Sequence, residues 1–403
     1  MDGSYPFISG DSHLEINPAR WTHRVDAKHR ERAPKVLHLP DGTDAYSIEG
    51  RPLVKPSSDL YGGKGRDKWV PFGQSIEGTA GTGAPEQRVQ EQDKDGVSAE
   101  ILFPGQQTGP RLWRSIPDDE AYKAVVQGYN TWLAEEYCSA APERLIGVPV
   151  MPWTNVDDML EELERSAKRG FKMVGLGAFP SGKSYPTPDD DRFWAAAVAM
   201  NMPVTIHVEL DRNGPRSGPV FKYPTQPPGV GEGPQGIVGQ VSNDKFCRLG
   251  GVNAVQLIFA GVFDRFPTLR IFFAENQIGW VPFFMEQADE RYERHWWWAQ
   301  NLLGVKRLER PPSEYVREHC YWGFQGDRVG IELREHIGVD RAIWASDFPH
   351  QESNWPESRK LIERIFAGVP EQEQYRMVCG NAVEFFHLED YVPLWEAARE
   401  NRS

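Results

Sequence analysis

The sequence predicts an α/β fold, a (β/α)8 TIM barrel, from three observations. Short apolar runs alternate eight times with longer segments of helical periodicity. The chain has 403 residues, enough for one such barrel with inserted loops. Several apolar runs are followed at once by carboxylate or imidazole side chains, and barrels of this kind carry their functional groups at the carboxyl ends of the strands. A doubly wound open sheet is the alternative architecture.

Eight segments predict strands because they are short, apolar and bounded by turn residues. They are 5–8, 99–103, 145–150, 171–179, 203–208, 269–274, 320–324 and 342–345. Segments with apolar residues at three- and four-residue spacing predict helices. They are 118–138, 156–168, 190–200, 246–266, 280–301, 328–336, 357–366 and the two short C-terminal helices 371–379 and 381–386.

Two long segments, 41–95 and 209–240, are rich in Gly, Pro or charge and lack periodicity. Long loops in compact domains are usually functional, so both are predicted to be inserted loops over the carboxyl-end face of the barrel. The single GxGxxG match, 231–236, lies inside the second loop and not after a strand, which disfavours a dinucleotide-binding sheet. The basic segment 17–40 predicts a short outer helix. We therefore predict one domain over 1–403.

Charge and composition exclude several classes of partner. The formal net charge is −13 and no basic stripe is present, which argues against nucleic acid and anionic membranes. No apolar run reaches the roughly 20 residues of a membrane helix. The N-terminal residues lack the pattern of a signal peptide, and the four cysteines are far apart, so a cytoplasmic protein with reduced thiols is expected.

Polar residues at the predicted strand ends form the candidate site: Asp11, His13, His207, Glu275, Asp347 and His350. Asp11 and His13 are two residues apart, so on an extended segment both side chains project the same way. Singly, each residue has a structural explanation: a core histidine for His207, a salt bridge for Glu275, a cap for Asp347. Jointly, nitrogen and oxygen donors on four strand ends predict a divalent metal site with an open position.

The motifs that carry these residues resemble the amidohydrolase-2 family, which includes the aminocarboxymuconate semialdehyde decarboxylase-like enzymes. The matching segments are ISGDSHLE, VTIHVE, WASDFPHQES and GNAVEFFHLE. The resemblance implies one divalent metal, with Zn²⁺ first and Mn²⁺ second, bound by Asp11, His13, His207 and Asp347. Strand six departs from the family by ending in Ala274-Glu275 instead of Gly-His. Strand four has no terminal Lys, so a binuclear site is not expected.

The leading functional hypothesis is a metal-dependent hydrolase, in which activated water attacks an amide, an ester or an activated C–C bond. Asp347 would shuttle a proton, Glu275 would be a second acid/base, and His350 would either orient Asp347 or bind substrate. The alternative is nonoxidative decarboxylation of an aromatic or unsaturated acid, since the same ligands serve both reactions. A hydratase and a metal-free, non-catalytic binding barrel are further alternatives.

Three consecutive tryptophans, 296–298, indicate the substrate class. Three adjacent rings on a helix cannot all face one core. They predict a pocket for a small, aromatic or carboxylated substrate, with Trp296, Trp297 and the loop cation Arg212 as substrate-binding residues. A subunit contact explains the same rings equally well, and a homodimer is expected by analogy with the family.

Overall fold

The computed structural model describes residues 5–53, 78–106, 108–183, 185–207, 210 and 244–400, without the side chains of 244–249. Most of the predicted loop 209–240, with Arg212 and the glycine motif 231–236, lies outside the described residues. So do residues 54–77 of the predicted loop 41–95.

Eight parallel strands form the barrel, and a small antiparallel hairpin lies between its first two strands. In chain order the strands are β1 Ile8–Leu14, β2 Lys35–His38, β3 Asp44–Ser47, β4 Ala99–Pro104, β5 Leu145–Gly147, β6 Val174–Leu176, β7 Val204–Ile206, β8 Ile271–Phe273, β9 Cys320–Phe324 and β10 Ala342–Trp344. The hydrogen-bonded orders are β1-β4-β5 and β10-β9-β8-β7-β6, with β2 paired to β3. A parallel bridge between Val150 and Gly175 joins the two barrel sheets.

The barrel closes between β1 and β10, which we call the seam. The Asp347 amide donates to the Asp11 carbonyl at 3.0 Å, and the His13 amide donates to the Phe348 carbonyl at 2.7 Å. The ring of eight strands is therefore complete, as the alternation in the sequence predicts.

Helices follow the strands and cover the outside of the barrel. Three of them begin at side-chain caps: Asp118 accepts from the Ala121 amide, Asn155 from the Asp158 amide, and Asp327 from the Gly330 amide. The described α-helices are Pro85–Asp95, Pro110–Trp113, Asp119–Trp132, Val156–Lys168, Asp191–Ala199, Asp244–Phe259, Val262–Arg265, Val281–Leu303, Pro312–His319, Arg328–Glu332, Arg334–Ile337, Ser358–Ile365, Glu371–Tyr375, Asn381–Phe386 and Val392–Glu400. Within the described ranges, no helix is both long and apolar enough to cross a bilayer.

The first strand differs from its prediction. It covers Ile8–Leu14 instead of 5–8, so Asp11 and His13 lie within the strand and not after it. All seven residues are buried, and the pairing with β4 is irregular between Ser9 and Ser12. The prediction was wrong because buried polar residues that bond to one another interrupt the apolar run used to find the strand.

The predicted loop 41–95 and outer helix 17–40 are also corrected. The described part of the loop contains β3 and the helix Pro85–Asp95. That helix buries Arg88, Glu91, Gln92 and Asp95 and has no apolar stripe that periodicity could detect. Segment 17–40 forms β2 and three short 3₁₀ turns in place of an α-helix. Short Pro-bounded turns do not persist long enough to give a helical period.

The C-terminal helix Asn381–Phe386 closes the amino-terminal end of the barrel. Its Phe385 and Phe386 rings lie 5.9 and 5.6 Å from Phe272, whose side chain is in the barrel interior with Ile8 and Ile343. At the opposite, carboxyl-terminal end, the barrel carries buried polar side chains, among them Asp11, His207 and Asp347.

Replacing Gly10 with alanine is expected to destabilise the seam. A Cβ at this position would lie 2.5 Å from Cγ2 of Ile343 and 3.3 Å from the Trp344 carbonyl. Overpacking of this kind costs about 1–3 kcal/mol of unfolding free energy. Gly326→Ala is the matched control, because its Cβ would meet only Leu361 at ordinary contact distance. Denaturant titration measures the unfolding midpoint of both variants. Equal midpoints would contradict the close packing at the seam.

Candidate metal centre

The six predicted site residues converge at the carboxyl ends of the barrel strands. Asp11 and His13 lie on β1, and the other four lie beyond strand ends: His207 comes directly after β7, Glu275 two residues after β8, and Asp347 and His350 three and six residues after β10. All six side chains are buried, none more than 5% exposed. Burial of this many ionisable groups without a charge partner would be costly, so they must satisfy one another or a cation.

The donor atoms form two overlapping groups, in each of which all donors lie within 4.8 Å of one another. One group contains Asp11, His13, His207 and Glu275, and the other contains His13, Glu275, Asp347 and His350. Glu275 and His350, predicted only as catalytic residues, are thus also placed among potential ligands.

The imidazoles of His13 and His207 each lie close to two carboxylates. Nε2 of His13 lies 3.4 Å from Oδ1 of Asp11 and 3.3 Å from Oδ1 of Asp347. Nε2 of His207 lies 3.5 Å from Oδ2 of Asp11 and 3.7 Å from Oε2 of Glu275. These spacings are longer than charge-assisted hydrogen bonds but suit donors that share one central ion.

The tautomer of His13 tests whether a cation fits. Its Nδ1 lies 3.1 Å from the Pro104 carbonyl, which can only accept, so we assign the proton to Nδ1 and the lone pair to Nε2. Within the described chain, that Nε2 and both carboxylate oxygens of Asp11 have no hydrogen-bond partner. Lone pairs that face one another repel unless a cation lies between them. The donor set therefore fits one divalent metal of the Zn²⁺ or Mn²⁺ type.

His350 lies between two carboxylates, and sequence reasoning missed one of them. Its Nδ1 is 3.1 Å from Oδ1 of Asp347, and its Nε2 is 3.2 Å from Oε1 of Glu15. Glu15 is fully buried and also accepts from the amide and hydroxyl of Thr108 at 3.2 Å. Glu15 continues the two-residue alternation of Asp11 and His13, a signal that could have identified it.

The electrostatics of the trio formed by Asp347, His350 and Glu15 favour an ion pair. Burial, the largest single cause, opposes ionisation of Asp347, but the charges and hydrogen bonds of His350 and His13 together outweigh it and hold the pKa of Asp347 well below its usual range. Burial also disfavours the charged imidazole, yet Asp347 and Glu15 together raise the pKa of His350 well above its ordinary value. The trio can thus hold one proton between two carboxylates.

The backbone at two of the site residues is strained. Glu275 and Asp347 have φ values of 53° and 54°, in the left-handed region that non-glycine residues rarely adopt. Only five non-glycine residues of the described chain have positive φ, so the concentration of two in this site is notable. Such strain persists where surrounding contacts fix a side chain in place, and it is typical of functional sites.

The predicted substrate-binding residues are not brought to this cluster. Trp296 and Trp297 lie on the outer helix Val281–Leu303, and Trp297 is 58% exposed. The Trp296 ring, with Arg307 4.4 Å above it, lines an apolar cavity of about 790 Å³ that none of the candidate ligands line. Arg212 lies outside the described residues. A direct substrate role for these three stays a prediction.

Comparison with known proteins gives matches of sequence and of structure. A family model described as amidohydrolase matches residues 116–388. A gamma-resorcylate decarboxylase of Rhizobium sp. (strain MTP-10005) is 24% identical over 267 residues, 62% of this chain and 74% of that protein.

Two solved structures have the same fold. An amidohydrolase from Mycobacterium avium subsp. paratuberculosis K-10 gives a TM-score of 0.70 at 19% identity, covering 95% of this chain and 99% of the other. A 5-carboxyvanillate decarboxylase from Novosphingobium aromaticivorans, solved with manganese and 4-hydroxy-3-methoxy-5-nitrobenzoic acid, gives 0.62 at 17% identity, covering 95% and 96%. At these identities the two structures confirm the predicted TIM-barrel fold.

Proposed function

The chain belongs to the amidohydrolase family, as its motifs predict, and we propose that it is a metal-dependent, nonoxidative decarboxylase of a hydroxylated aromatic acid. The observation that carries the proposal is the buried ligand group beside a proton-holding trio, Asp347, His350 and Glu15. The decarboxylase relatives support this alternative better than the hydrolysis that the sequence analysis put first.

The metal is proposed to be held by Asp11, His13, His207 and Asp347, with Glu275 within reach. When bound, it would act as a Lewis acid that fixes the substrate carboxylate and neutralises charge on its oxygens. Manganese is favoured by the decarboxylase solved with that ion, and zinc by the imidazole content of the donor set. Elemental analysis of the purified chain distinguishes the two.

The chain's own residues would supply the proton. Decarboxylation breaks the bond between the ring carbon and the carboxylate, releases CO₂ and leaves the electron pair on the ring. That carbon must then take a proton. We assign the donor role to Asp347, which would take the proton held on Nδ1 of His350, 3.1 Å away, and pass it to the ring carbon. His350 would return a proton to Asp347, held in line by Glu15 on its other nitrogen.

Substrate screening tests this function directly. Metal-loaded enzyme would be incubated with mono- and dihydroxybenzoic acids, and with aryl esters and amides of matched size. We expect CO₂ release from at least one acid and no comparable hydrolysis. Hydrolysis without CO₂ release would restore the hypothesis that the sequence analysis put first.

Glu275→Gln separates the two reactions further. As the second acid/base of a hydrolase, Glu275 would be worth about 10²- to 10⁴-fold in kcat, typical of general acid–base catalysis. In a decarboxylase, Glu275 would only add a contact to the metal. We therefore expect kcat for CO₂ release to fall by no more than about 10-fold, the smaller loss seen when a residue that supports a metal site is replaced. Loss of all CO₂ release with full metal content would contradict this assignment.

Glu15→Gln is expected to slow proton return without removing the metal. The amide keeps the size of the side chain and can still bond to Thr108, but it no longer balances the charge on His350. A loss of about 10- to 100-fold in kcat is the usual cost of removing such an outer partner. The measurement is kcat at saturating metal alongside metal content. Unchanged kcat would remove Glu15 from the proton path.

We further propose a homodimer acting on small molecules in the cytoplasm. The exposed apolar side chains of Phe283, Trp297 and Leu302 on the outer helix, 58–76% accessible, support a subunit contact. Light scattering of the purified chain measures the oligomeric state. A monomer at micromolar concentration would contradict the dimer.

A further inference from the structure

The seam between β1 and β10 brings together the two strands that carry most of the candidate ligands. No regular ladder joins these two strands in the described chain: β1 pairs with β4 and β10 with β9, and the backbone bonds across the seam are those from Asp347 to Asp11 and from His13 to Phe348. On one side three buried hydroxyls, of Ser9, Ser12 and Ser346, lie 3.0–3.1 Å from one another. The seam therefore depends on side chains for part of its closure.

Arg88 bonds to both partners of the seam, β1 and the segment that follows β10. Its guanidinium is fully buried, at 1% exposure. Nη1 donates to the carbonyl of His13 at 3.0 Å, and Nη2 donates to the carbonyl of Phe348 at 3.2 Å. The first carbonyl belongs to a candidate ligand, and the second belongs to the residue after Asp347.

The charge of Arg88 is balanced away from the ligands. Nε and Nη2 donate to the two oxygens of Glu100 at 2.6 and 3.1 Å, and Gln92 also donates to Glu100 at 2.8 Å. Nη2 thus serves both the ion pair and the bond to Phe348, since it carries two hydrogens, whereas Nε bonds only to Glu100 and Nη1 only to His13 among these partners. A buried ion pair gives little net stability over an apolar replacement. Stability alone therefore does not account for an arginine at this position.

We propose that Arg88 is a positioning residue for the metal centre, fixing β1 and β10 relative to each other through the carbonyls of His13 and Phe348. The inference rests on the metal site proposed above. A fork with fixed geometry can hold two carbonyls at a set separation, which a lysine ammonium cannot do equally well. Metal ligands must be held to within about 0.5 Å of their productive geometry, so a loose seam would weaken metal binding.

Two variants separate positioning from stability. Glu100→Gln keeps both carbonyl bonds but leaves the arginine charge poorly compensated, so the unfolding midpoint should fall. The affinity for Mn²⁺ should stay within about 3-fold of wild type, because the substituted side chain does not contact the ligands. Arg88→Met with Glu100→Gln removes the charges together, so the midpoint should recover. Affinity for Mn²⁺ should then fall by about 10- to 100-fold, the cost of losing an outer partner.

The readouts are Mn²⁺ affinity by chelator competition and the visible spectrum of the Co²⁺-substituted protein, which reports ligand geometry. Arg88→Lys, which keeps a charge opposite Glu100, should give an intermediate affinity and serves as the test if the double variant does not fold. The inference would be overturned if the double variant had the Mn²⁺ affinity and Co²⁺ spectrum of the wild type. The same result in Arg88→Lys would overturn it if only that variant folds, and in both cases the proposed function would stand. Failure of the wild type to bind either metal would overturn the proposed function and this inference with it.

Discussion

His13→Ala is expected to abolish stoichiometric metal binding and, with it, decarboxylation. His13 is the one imidazole common to both donor groups, and its Nε2 lies within 3.4 Å of two carboxylates. Replacing a residue that only hydrogen-bonds to a metal ligand already lowers metal affinity by about 10- to 100-fold, so replacing the ligand His13 itself should lower it further. Metal content after gel filtration and affinity by chelator competition measure the effect.

His319→Ala is the matched control for that variant. His319 is also fully buried, but it stacks on Phe263 at 4.2 Å and bonds to the Leu269 carbonyl, away from the donor groups. We expect lower thermal stability with unchanged metal content. If His13→Ala retained one metal per chain with the affinity of the wild type, the ligand assignment would be wrong.

Asp347→Asn is expected to lower kcat by about 10²- to 10⁴-fold, the range for loss of a general acid. The amide fills the same space but cannot take a proton from His350 and pass it to the ring carbon. The loss should appear at saturating metal and substrate, so metal content must be measured on the same sample.

Asp95→Asn is the control for loss of a buried carboxylate. Asp95 accepts from the Ser358 amide at 2.8 Å, at the end of the helix Pro85–Asp95 and outside both donor groups. We expect kcat within about 3-fold of wild type, because a substitution that shares no partner with the donor groups should have little effect on them. An Asp347→Asn variant that matched this control in kcat would exclude Asp347 as the proton donor.

The fold and most of the site were predictable because both depend on local patterns. Alternating apolar runs identify strands even when their ends shift, as at β1 and β6. The carboxyl ends of parallel strands meet in space, so residues as distant in sequence as Asp11 and Asp347 could be grouped before their geometry was known.

The contacts of the supporting residues were not predictable from such patterns, although the two-residue alternation along β1 could have identified Glu15 itself. Arg88 lies on a polar helix that is buried through hydrogen bonds and not through an apolar stripe. The contact of Glu15 with His350 joins residues 335 positions apart, and no periodicity encodes that pairing. The tryptophans show a different limit, because composition indicates an aromatic surface but not which face of the barrel it occupies, and a direct substrate role for Trp296 and Trp297 stays a prediction.

The central claim, decarboxylation at the metal centre, is tested most directly by the product formed in deuterated water. Metal-free and Mn²⁺-loaded enzyme would be incubated with a hydroxybenzoic acid that releases CO₂ in the substrate screen, and the phenol examined by NMR and mass spectrometry. The account predicts one deuterium at the carbon that carried the carboxylate, formed only by the loaded enzyme. Equal turnover without metal, or CO₂ release without deuterium at that carbon, would contradict it.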